Sequence, residues 1–301
     1  MAASLVHAAF RLTFRKDRPR FVSRFQGTKL AEATKRRQWL RLVANLDFLV
    51  AYWLPCDACI MTNDGTQGRR ILSWVGTRSA KVLYYVNGTD LVENERTEQP
   101  DWQALGVFSS DIVLMCVSRL VSWKRLDRSL RACARIVETA PTADQRRAVK
   151  LVVIGDGDRR KQYEDLANEL GLAGHVVFTG AVEHSKLNAY YERADVFFSF
   201  YDLSNVGNPL LEAIRHHMVV FTLRNGDTYQ WIRHRKSGLL FEPDDDLLPA
   251  RVAAAFWELV DHPKLRDRII AGVRDVERQK LWTWNERMDA EVDAIEALRA
   301  A

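Results

Sequence analysis

Short apolar runs alternate with helix-length segments from residue 111 onward, and no other feature of the sequence restricts the fold as much. The runs expected to form buried strands are residues 111–117, 150–154, 175–178, 196–200, 218–223 and 238–241. The segments expected to form helices are residues 124–138, 159–170, 185–193, 210–216, 246–260 and 263–278. This alternation predicts an α/β fold with a doubly wound parallel sheet. Because right-handed crossovers bring every strand-to-helix loop to one edge of such a sheet, we expect a ligand to bind there.

The first hundred residues follow the same pattern less completely. Strand-like runs are expected at residues 20–25, 59–62 and 81–86, and one long helix at residues 30–54. The polar segment at residues 91–108 is typical of a linker. The predicted parts are a partial N-terminal Rossmann-like domain with linker at 1–108, a complete C-terminal Rossmann-like domain at 109–280, and a final helix at 281–301 that crosses back to the N-terminal domain.

The charge balance of the chain suits an anionic partner. Its 301 residues include 44 Lys and Arg against 39 Asp and Glu, for a formal net charge of +5. Such a mild excess fits an anionic ligand or a negative membrane surface. Nucleic acid is not an expected partner, because no basic motif interleaved with aromatic residues is present. No apolar run reaches the length of about 18 residues that a membrane-spanning helix needs.

The four cysteines are expected to be buried thiols. Cys56 and Cys59 form a lone CxxC pair, which is compatible with zinc or redox chemistry. No second pair and no His pair completes a metal site, so we expect no bound metal. The few cysteines and the lack of a secretory pattern predict a cytoplasmic location.

The segment from Ser204 to Ala213 has the chemistry of a ligand-binding loop that enters a helix. Asn, Gly and Pro residues precede an uninterrupted helical run. The free N–H groups and positive dipole end of a helix N-terminus form a site for phosphate. Glu212, in that helix, is placed to accept hydrogen bonds from sugar hydroxyls. The alternative is an ordinary loop with a surface glutamate.

Other predicted strand-to-helix loops carry residues suited to the same ligand. Arg119 and Lys124 flank the first of them and suit a diphosphate, although two solvated surface cations are the alternative. Gly155 belongs to a tight Gly-Asp-Gly turn, but Arg160 holds the place of the third glycine of a dinucleotide fingerprint, which disfavours a nicotinamide oxidoreductase. The Gly180–Val182 turn suits a flat base, or simple packing.

Six segments together resemble a known family. They are VSRLVSWKRLDRSL, LVVIGDGDRRKQYEDLANELGL, HVVFTGAV, ADVFFSF, NVGNPLLEA and SGLLFEPDD. Upstream, SRFQGT, CDACIMTNDGT and YYVNGTD add shorter matches. The chain resembles the retaining glycosyltransferases of family 4, also called glycosyl transferases group 1, which have the two-domain GT-B fold. The resemblance covers the C-terminal domain almost completely.

The resemblance implies roles for individual residues. It assigns catalytic or leaving-group contacts to Arg119, Lys124 and Glu212, with Glu212 on the donor ribose. It implies that the donor is also bound by Gly155, Gly180, Val182, Ser204, Asn205, Val206, Gly207, Asn208, Pro209 and Leu210. It implies no cofactor and no metal, with a nucleotide-diphosphate sugar as donor substrate.

The sequence departs from the family in two places. Ser204 stands where the family carries the first glutamate of a pair, and a hydroxyl cannot supply its negative charge. Asp202 is a candidate substitute for that carboxylate. The start of the N-terminal domain, with its strand and Gly-rich loop, also has no counterpart, so we expect this domain to be incomplete.

Two functional hypotheses follow from the resemblance. The first is a retaining glycosyltransferase that acts on a polysaccharide or lipid-linked acceptor in cell-envelope biosynthesis. The second is a truncated or degenerate module that binds a nucleotide sugar without turnover. Lys35, Arg36, Arg37, Trp39 and Arg41 also suggest peripheral contact with the inner face of a membrane, although a solvated basic helix is the alternative.

Overall fold

A computed structural model describes residues 20–28, 30–35, 37–90 and 99–300, which fall into two compact units. The first unit extends to Gly88 and resumes at Trp282, and the second is Thr89–Leu281. Residues 1–19, and residues 91–98 of the predicted linker, lie outside the described part of the chain.

The two units contain parallel strands that alternate with helices. The strands are β1 (Val22–Phe25), β2 (Ala58–Thr62), β3 (Val82–Tyr85), β4 (Ile112–Val117), β5 (Val149–Ile154), β6 (Val176–Gly180), β7 (Val196–Ser199), β8 (Val219–Leu223) and β9 (Leu239–Phe241). The helices are α1 (Ala31–Lys35), α2 (Trp39–Val43), α3 (Leu46–Trp53), α4 (Gly68–Val75), α5 (Leu126–Glu138), α6 (Ala143–Ala148), α7 (Arg160–Glu169), α8 (Leu187–Arg193), α9 (Asn208–Arg215), α10 (Thr228–Trp231), α11 (Leu248–Asp261), α12 (Pro263–Lys280) and α13 (Trp284–Ala300). Single 3-10 turns lie at Ser122–Lys124 and His184–Lys186.

The sheet of the second unit has six strands in the order β6–β5–β4–β7–β8–β9, and all of its paired strands are parallel. The sequence of β4 is apolar throughout, because helices cover both faces of a parallel sheet and leave no solvent-facing side. The chain adds β5 and β6 on one side of β4 and then crosses to β7 on the other side. The strand order therefore reverses between β4 and β7, and the predicted doubly wound sheet is confirmed.

The sheet of the first unit has three parallel strands in the order β1–β2–β3. The central strand β2 is buried along its whole length. Leu30, Tyr52, Ile71 and Leu72 are among the buried residues of the core that packs beside this sheet. The unit is completed by α13, whose N-terminus is a capping box: Thr283 Oγ1 accepts from the Glu286 amide at 3.2 Å, and Glu286 Oε2 accepts from the Thr283 amide at 2.7 Å.

The single long helix predicted over residues 30–54 is wrong. The segment forms three short helices, α1, α2 and α3. The backbone leaves the helical region at Arg37, with φ 51°, and at Asn45, with φ −121° and ψ 33°. The Asn45 amide group donates to the Arg41 carbonyl at 2.8 Å, a local bond of the kind that competes with helix propagation.

Candidate functional site

The reversal of strand order places two loops of the second unit side by side. In open α/β sheets, ligands bind at the carboxyl ends of the strands where the order reverses. Here the loop after β4 carries Arg119 and Lys124, and the loop after β7 leads into α9. The two loops are joined by a hydrogen bond from the Asp202 amide to the Trp123 carbonyl at 2.9 Å.

Both predicted phosphate-binding cations lie against aromatic rings. The Lys124 ammonium is 4.0 Å from the centroid of Tyr201, and the Arg119 guanidinium is 5.6 Å from that of Trp123. Tyr201 is buried, and its hydroxyl donates to the Val117 carbonyl at 2.8 Å. A cation over a ring face is attracted by the ring quadrupole. The Tyr201 ring therefore provides a fixed platform for the Lys124 charge.

The loop before α9 presents its backbone at the same edge. Ser204 has a positive φ of 57°, and Gly207 is extended before the helix begins at Asn208 with Pro209 in its first turn. The side chains of Asn205, Val206 and Leu210 are buried. A ligand at this loop would therefore meet main-chain groups, as the resemblance implies for a phosphate at the helix N-terminus.

Glu212 lies one turn into α9 and is held by two neighbours. The Tyr191 hydroxyl donates to Glu212 Oε2 at 2.8 Å, and His184 Nε2 lies 3.1 Å from Oε1. Burial is the main cause that raises the pKa of Tyr201, and the charge of Glu212 is a further cause. Each oxygen of the Glu212 carboxylate therefore has one hydrogen-bonding neighbour from outside α9.

The glycines of the predicted donor loops let backbones approach one another. A Cβ on Gly155 would lie 1.9 Å from the Ser118 carbonyl oxygen, and the φ of Gly155 is +127°. The Gly155 amide donates to the Gly180 carbonyl at 2.8 Å, and Gly180 has a φ of +76°. These contacts join the loops after β4, β5 and β6. The half-buried Val182 follows Gly180 on the last of them.

Asp202, the candidate substitute for the family carboxylate at Ser204, is engaged by two arginines. Its side chain forms ion pairs with Arg128 at 2.6 Å and with Arg125 at 3.4 Å. Both arginines lie at the start of α5 or just before it, and they hold the carboxylate there. The ion pairs of Asp202 therefore do not support a role for this carboxylate in place of the family glutamate at Ser204.

The cysteines are free and buried, which confirms the sequence-based expectation. Burial raises the pKa values of Cys59 and Cys116 to about 12, so both thiols stay protonated at neutral pH. Within the described ranges, no group of three or more His, Cys, Asp or Glu side chains is placed to hold a metal ion. In the same part of the chain, no helix is both long and apolar enough to cross a membrane.

Residues 98–276 match the family described as Glycosyl transferases group 1. The chain belongs to this family. One relative within it is the GDP-mannose-dependent alpha-(1-6)-phosphatidylinositol monomannoside mannosyltransferase of Mycobacterium tuberculosis, 32% identical over 52% of this chain and 40% of the relative. Another is the D-inositol 3-phosphate glycosyltransferase of Geodermatophilus obscurus, 28% identical over 79% of this chain and 52% of the relative. The chain spans about half the length, or less, of these curated relatives.

Solved structures show the same fold as this family member. HepE of Anabaena, solved in complex with UDP, superposes with a TM-score of 0.73 at 17% identity over 98% of this chain and 76% of HepE. WaaG, described as a glycosyltransferase of lipopolysaccharide biosynthesis, superposes with a TM-score of 0.71 at 17% identity over 96% of this chain and 80% of WaaG. The GT-B fold class predicted from the sequence is thus confirmed.

Two contacts of the site were missed by sequence reasoning. Tyr191 and His184 flank Glu212 from α8 and the turn before it, about twenty or more positions away along the chain. Nothing in the spacing of these residues indicates the contact. The contact of Lys124 with Tyr201 was not predicted either, because an aromatic residue after a buried strand is typical of core packing.

Proposed function

We propose that the protein is a retaining family 4 glycosyltransferase that transfers a sugar from a nucleotide-diphosphate sugar to an acceptor hydroxyl. The observation that carries the proposal is the contact of Lys124 with Tyr201, at the switch point of a group 1 sheet and at the beginning of the loop that leads into α9. Lys124 and Arg119 would neutralise the departing diphosphate, together with the amides at the N-terminus of α9. Groups fixed in advance around developing charge contribute several kcal/mol to such a step, typically about 3 kcal/mol for one donor.

In the proposed reaction the acceptor oxygen bonds to the anomeric carbon on the face from which the diphosphate leaves. The bond between that carbon and the diphosphate oxygen breaks, and the acceptor proton leaves with the diphosphate. Glu212 would bind the donor ribose, and the turn from Gly180 to Val182 would contact the base. The proposed transfer needs neither a protein nucleophile nor a metal ion.

The proposed substrates follow from the chemistry of the relatives. One relative is named for its dependence on GDP-mannose, and HepE was solved with UDP. We therefore take a UDP-sugar or a GDP-sugar as the donor. Two relatives are named as a phosphatidylinositol monomannoside mannosyltransferase and an alpha-monoglucosyldiacylglycerol synthase, and both names favour a lipid-linked acceptor over a polysaccharide. We place the reaction at the cytoplasmic face of the cell envelope.

Calorimetric titration with UDP and GDP tests the proposal. We expect one of them to bind with a 1:1 stoichiometry, and we expect the corresponding sugar nucleotide to be hydrolysed or transferred by the same preparation. Binding without any turnover would support the non-catalytic module instead, a role that Ser204 in place of a carboxylate also favours. If no nucleoside diphosphate binds, both functions are contradicted.

An exposed apolar face of the first unit supports the membrane part of the proposal. Trp39, Leu40 and Val43 of α2 are 63%, 88% and 70% exposed. The exposed Arg37 and Arg41 flank them, a mixture that suits an anionic lipid interface. Arg36 and the side chain of Lys35, which belong to the same sequence pattern, lie outside the described residues.

Replacement of both Leu40 and Val43 by Asp is expected to reduce binding to anionic vesicles. The two carboxylates remove apolar contact and add repulsion at one face, so the bound fraction in a flotation assay should fall at least about fivefold. The Leu247→Asp variant is the control, because Leu247 is similarly exposed, at 59%, but belongs to the second unit. If the wild-type protein stays with the soluble fraction, membrane contact is ruled out and glycosyl transfer remains as proposed.

A further inference from the structure

We propose that Tyr191 is a positioning residue of the donor site: its hydroxyl holds one oxygen of Glu212 so that the other oxygen accepts hydrogen bonds from the donor ribose. This inference rests on the proposed function, since it concerns how the same site recognises its nucleotide. It assigns different tasks to the two oxygens of one carboxylate.

The contact between Tyr191 and Glu212 joins two helices. Tyr191 lies on α8 and Glu212 on α9, and the hydroxyl-to-Oε2 distance is 2.8 Å. Burial, and then the adjacent Glu212 carboxylate, raise the pKa of Tyr191 well above its ordinary value. The phenol therefore keeps its proton at neutral pH. Glu212 Oε2, at 2.8 Å, is the nearer of the two acceptors of this hydroxyl, and the Pro209 carbonyl lies at 3.4 Å.

The Tyr191 ring packs against two other rings. His216 stacks on it with a centroid separation of 5.1 Å and an interplanar angle of 9°, and Phe197 lies 6.2 Å away. Burial is the first cause that lowers the pKa of His216 to about 4, so the stacked imidazole is neutral at pH 7. Because the Tyr191 ring is buried and packs against two other rings, it is held in place, and its hydroxyl fixes the direction of the hydrogen bond to Glu212.

The second oxygen of Glu212, Oε1, lies 3.1 Å from His184 Nε2. The His184 side chain is 74% exposed, whereas the Glu212 side chain is only 13% exposed. An exposed imidazole can rotate away from Oε1 at little cost, because it is not packed against other groups on most of its surface. A ribose that approaches from solvent would therefore reach Oε1 and leave the bond between Tyr191 and Oε2 intact.

The Tyr191→Phe variant tests this division of tasks, because it removes the hydroxyl and keeps the stacked ring. The affinities for UDP, GDP, ADP and CDP and for their 2′,3′-dideoxy forms are measured by calorimetry. The dideoxy forms lack the hydroxyls from which Oε1 would accept hydrogen bonds. The wild-type protein should prefer the ribose form of its nucleotide by about tenfold or more, since hydrogen bonds to a charged group are strong. In Tyr191→Phe this preference should fall about fivefold, while affinity for the dideoxy form changes less than about twofold.

Two further variants separate positioning from general damage. Tyr190→Phe removes the neighbouring hydroxyl on α8 from a ring that packs on Trp102, and it should bind like the wild type. In a Glu212→Gln background, Tyr191→Phe should have less effect than in the wild-type background, because the two side chains act through one contact.

The outcomes distinguish the inference from the function on which it rests. If the wild-type protein binds no nucleoside diphosphate, both are overturned. If it binds one and Tyr191→Phe keeps the full ribose preference, only the role of Tyr191 is overturned. If the wild type shows no ribose preference, the ribose contact of Glu212 is overturned together with the role of Tyr191, whereas glycosyl transfer itself is not. Equal weakening of ribose and dideoxy forms would also overturn the role of Tyr191, since that pattern indicates a loss of packing.

Discussion

Replacement of Lys124 by Ala is expected to lower turnover of the sugar nucleotide by about a hundredfold, the effect typical of one lost electrostatic contact to a developing charge. The Lys124 ammonium lies 4.0 Å from the centroid of Tyr201, between the two loops at the switch point of the sheet. The charge on the leaving diphosphate grows as the glycosidic bond breaks, so the lysine contributes more in the transition state than in the ground state. Turnover should therefore fall more than nucleotide affinity does.

The control for this prediction is Lys264→Ala, which removes an exposed lysine at the start of α12. Its turnover and affinity should match the wild type, because the lysine lies outside the loops of the candidate site. The measurement is initial-rate kinetics of donor hydrolysis or transfer, together with titration of the nucleoside diphosphate. Wild-type turnover in Lys124→Ala would remove the lysine from the proposed mechanism.

Lys124 was predicted from the sequence because its position depends on the order of strands and helices alone. Buried parallel strands appear as continuous apolar runs, and the segment from Asp111 to Val117 therefore predicted β4 to within one residue. Once β4 and the following helix are placed, the loop between them must lie at the ligand-binding edge. Arg119 and the loop before α9 were predicted for the same reason.

The partners of these residues could not be predicted in this way. The bond between Tyr191 and Glu212 joins residues 21 positions apart on different helices. The platform under Lys124 joins two loops that are distant in sequence and adjacent only because β4 pairs with β7. Such contacts depend on tertiary packing, which the local pattern of apolar and polar residues does not encode.

Local hydrogen bonding also explains why the long helix predicted in the first unit is divided. Residues 30–54 have the apolar content of one long helix, but the segment breaks near Arg37 and at Asn45. Asn is a weak helix former because its side chain offers the backbone alternative hydrogen bonds. Leu40 and Val43 are exposed on the short helix α2 that lies between these two breaks. This is the face to which we assign membrane contact.

Arg287→Met is expected to lower the free energy of unfolding of the first unit by about 3 to 5 kcal/mol, as removal of one partner from a buried ion pair does. Arg287 is fully buried on α13 and pairs with Glu291, which is also buried. The guanidinium also donates to the Val86 carbonyl at 3.1 Å and lies 4.6 Å from the Tyr85 ring centroid. Without it, the partner that remains for the Glu291 carboxylate among the described ion pairs is Arg24, at 3.4 Å, whose side chain is 44% exposed.

Urea unfolding followed by circular dichroism measures this effect, and Arg299→Met on the same helix is the matched control. Arg299 is exposed in the last turn of α13, so its replacement should change stability by no more than about 0.5 kcal/mol. Addition of Glu291→Leu to Arg287→Met should recover part of the loss, because the unpaired charge is then removed as well. A midpoint for Arg287→Met equal to that of the control would mean that the ion pair contributes nothing to the stability of the junction of α13 with β3.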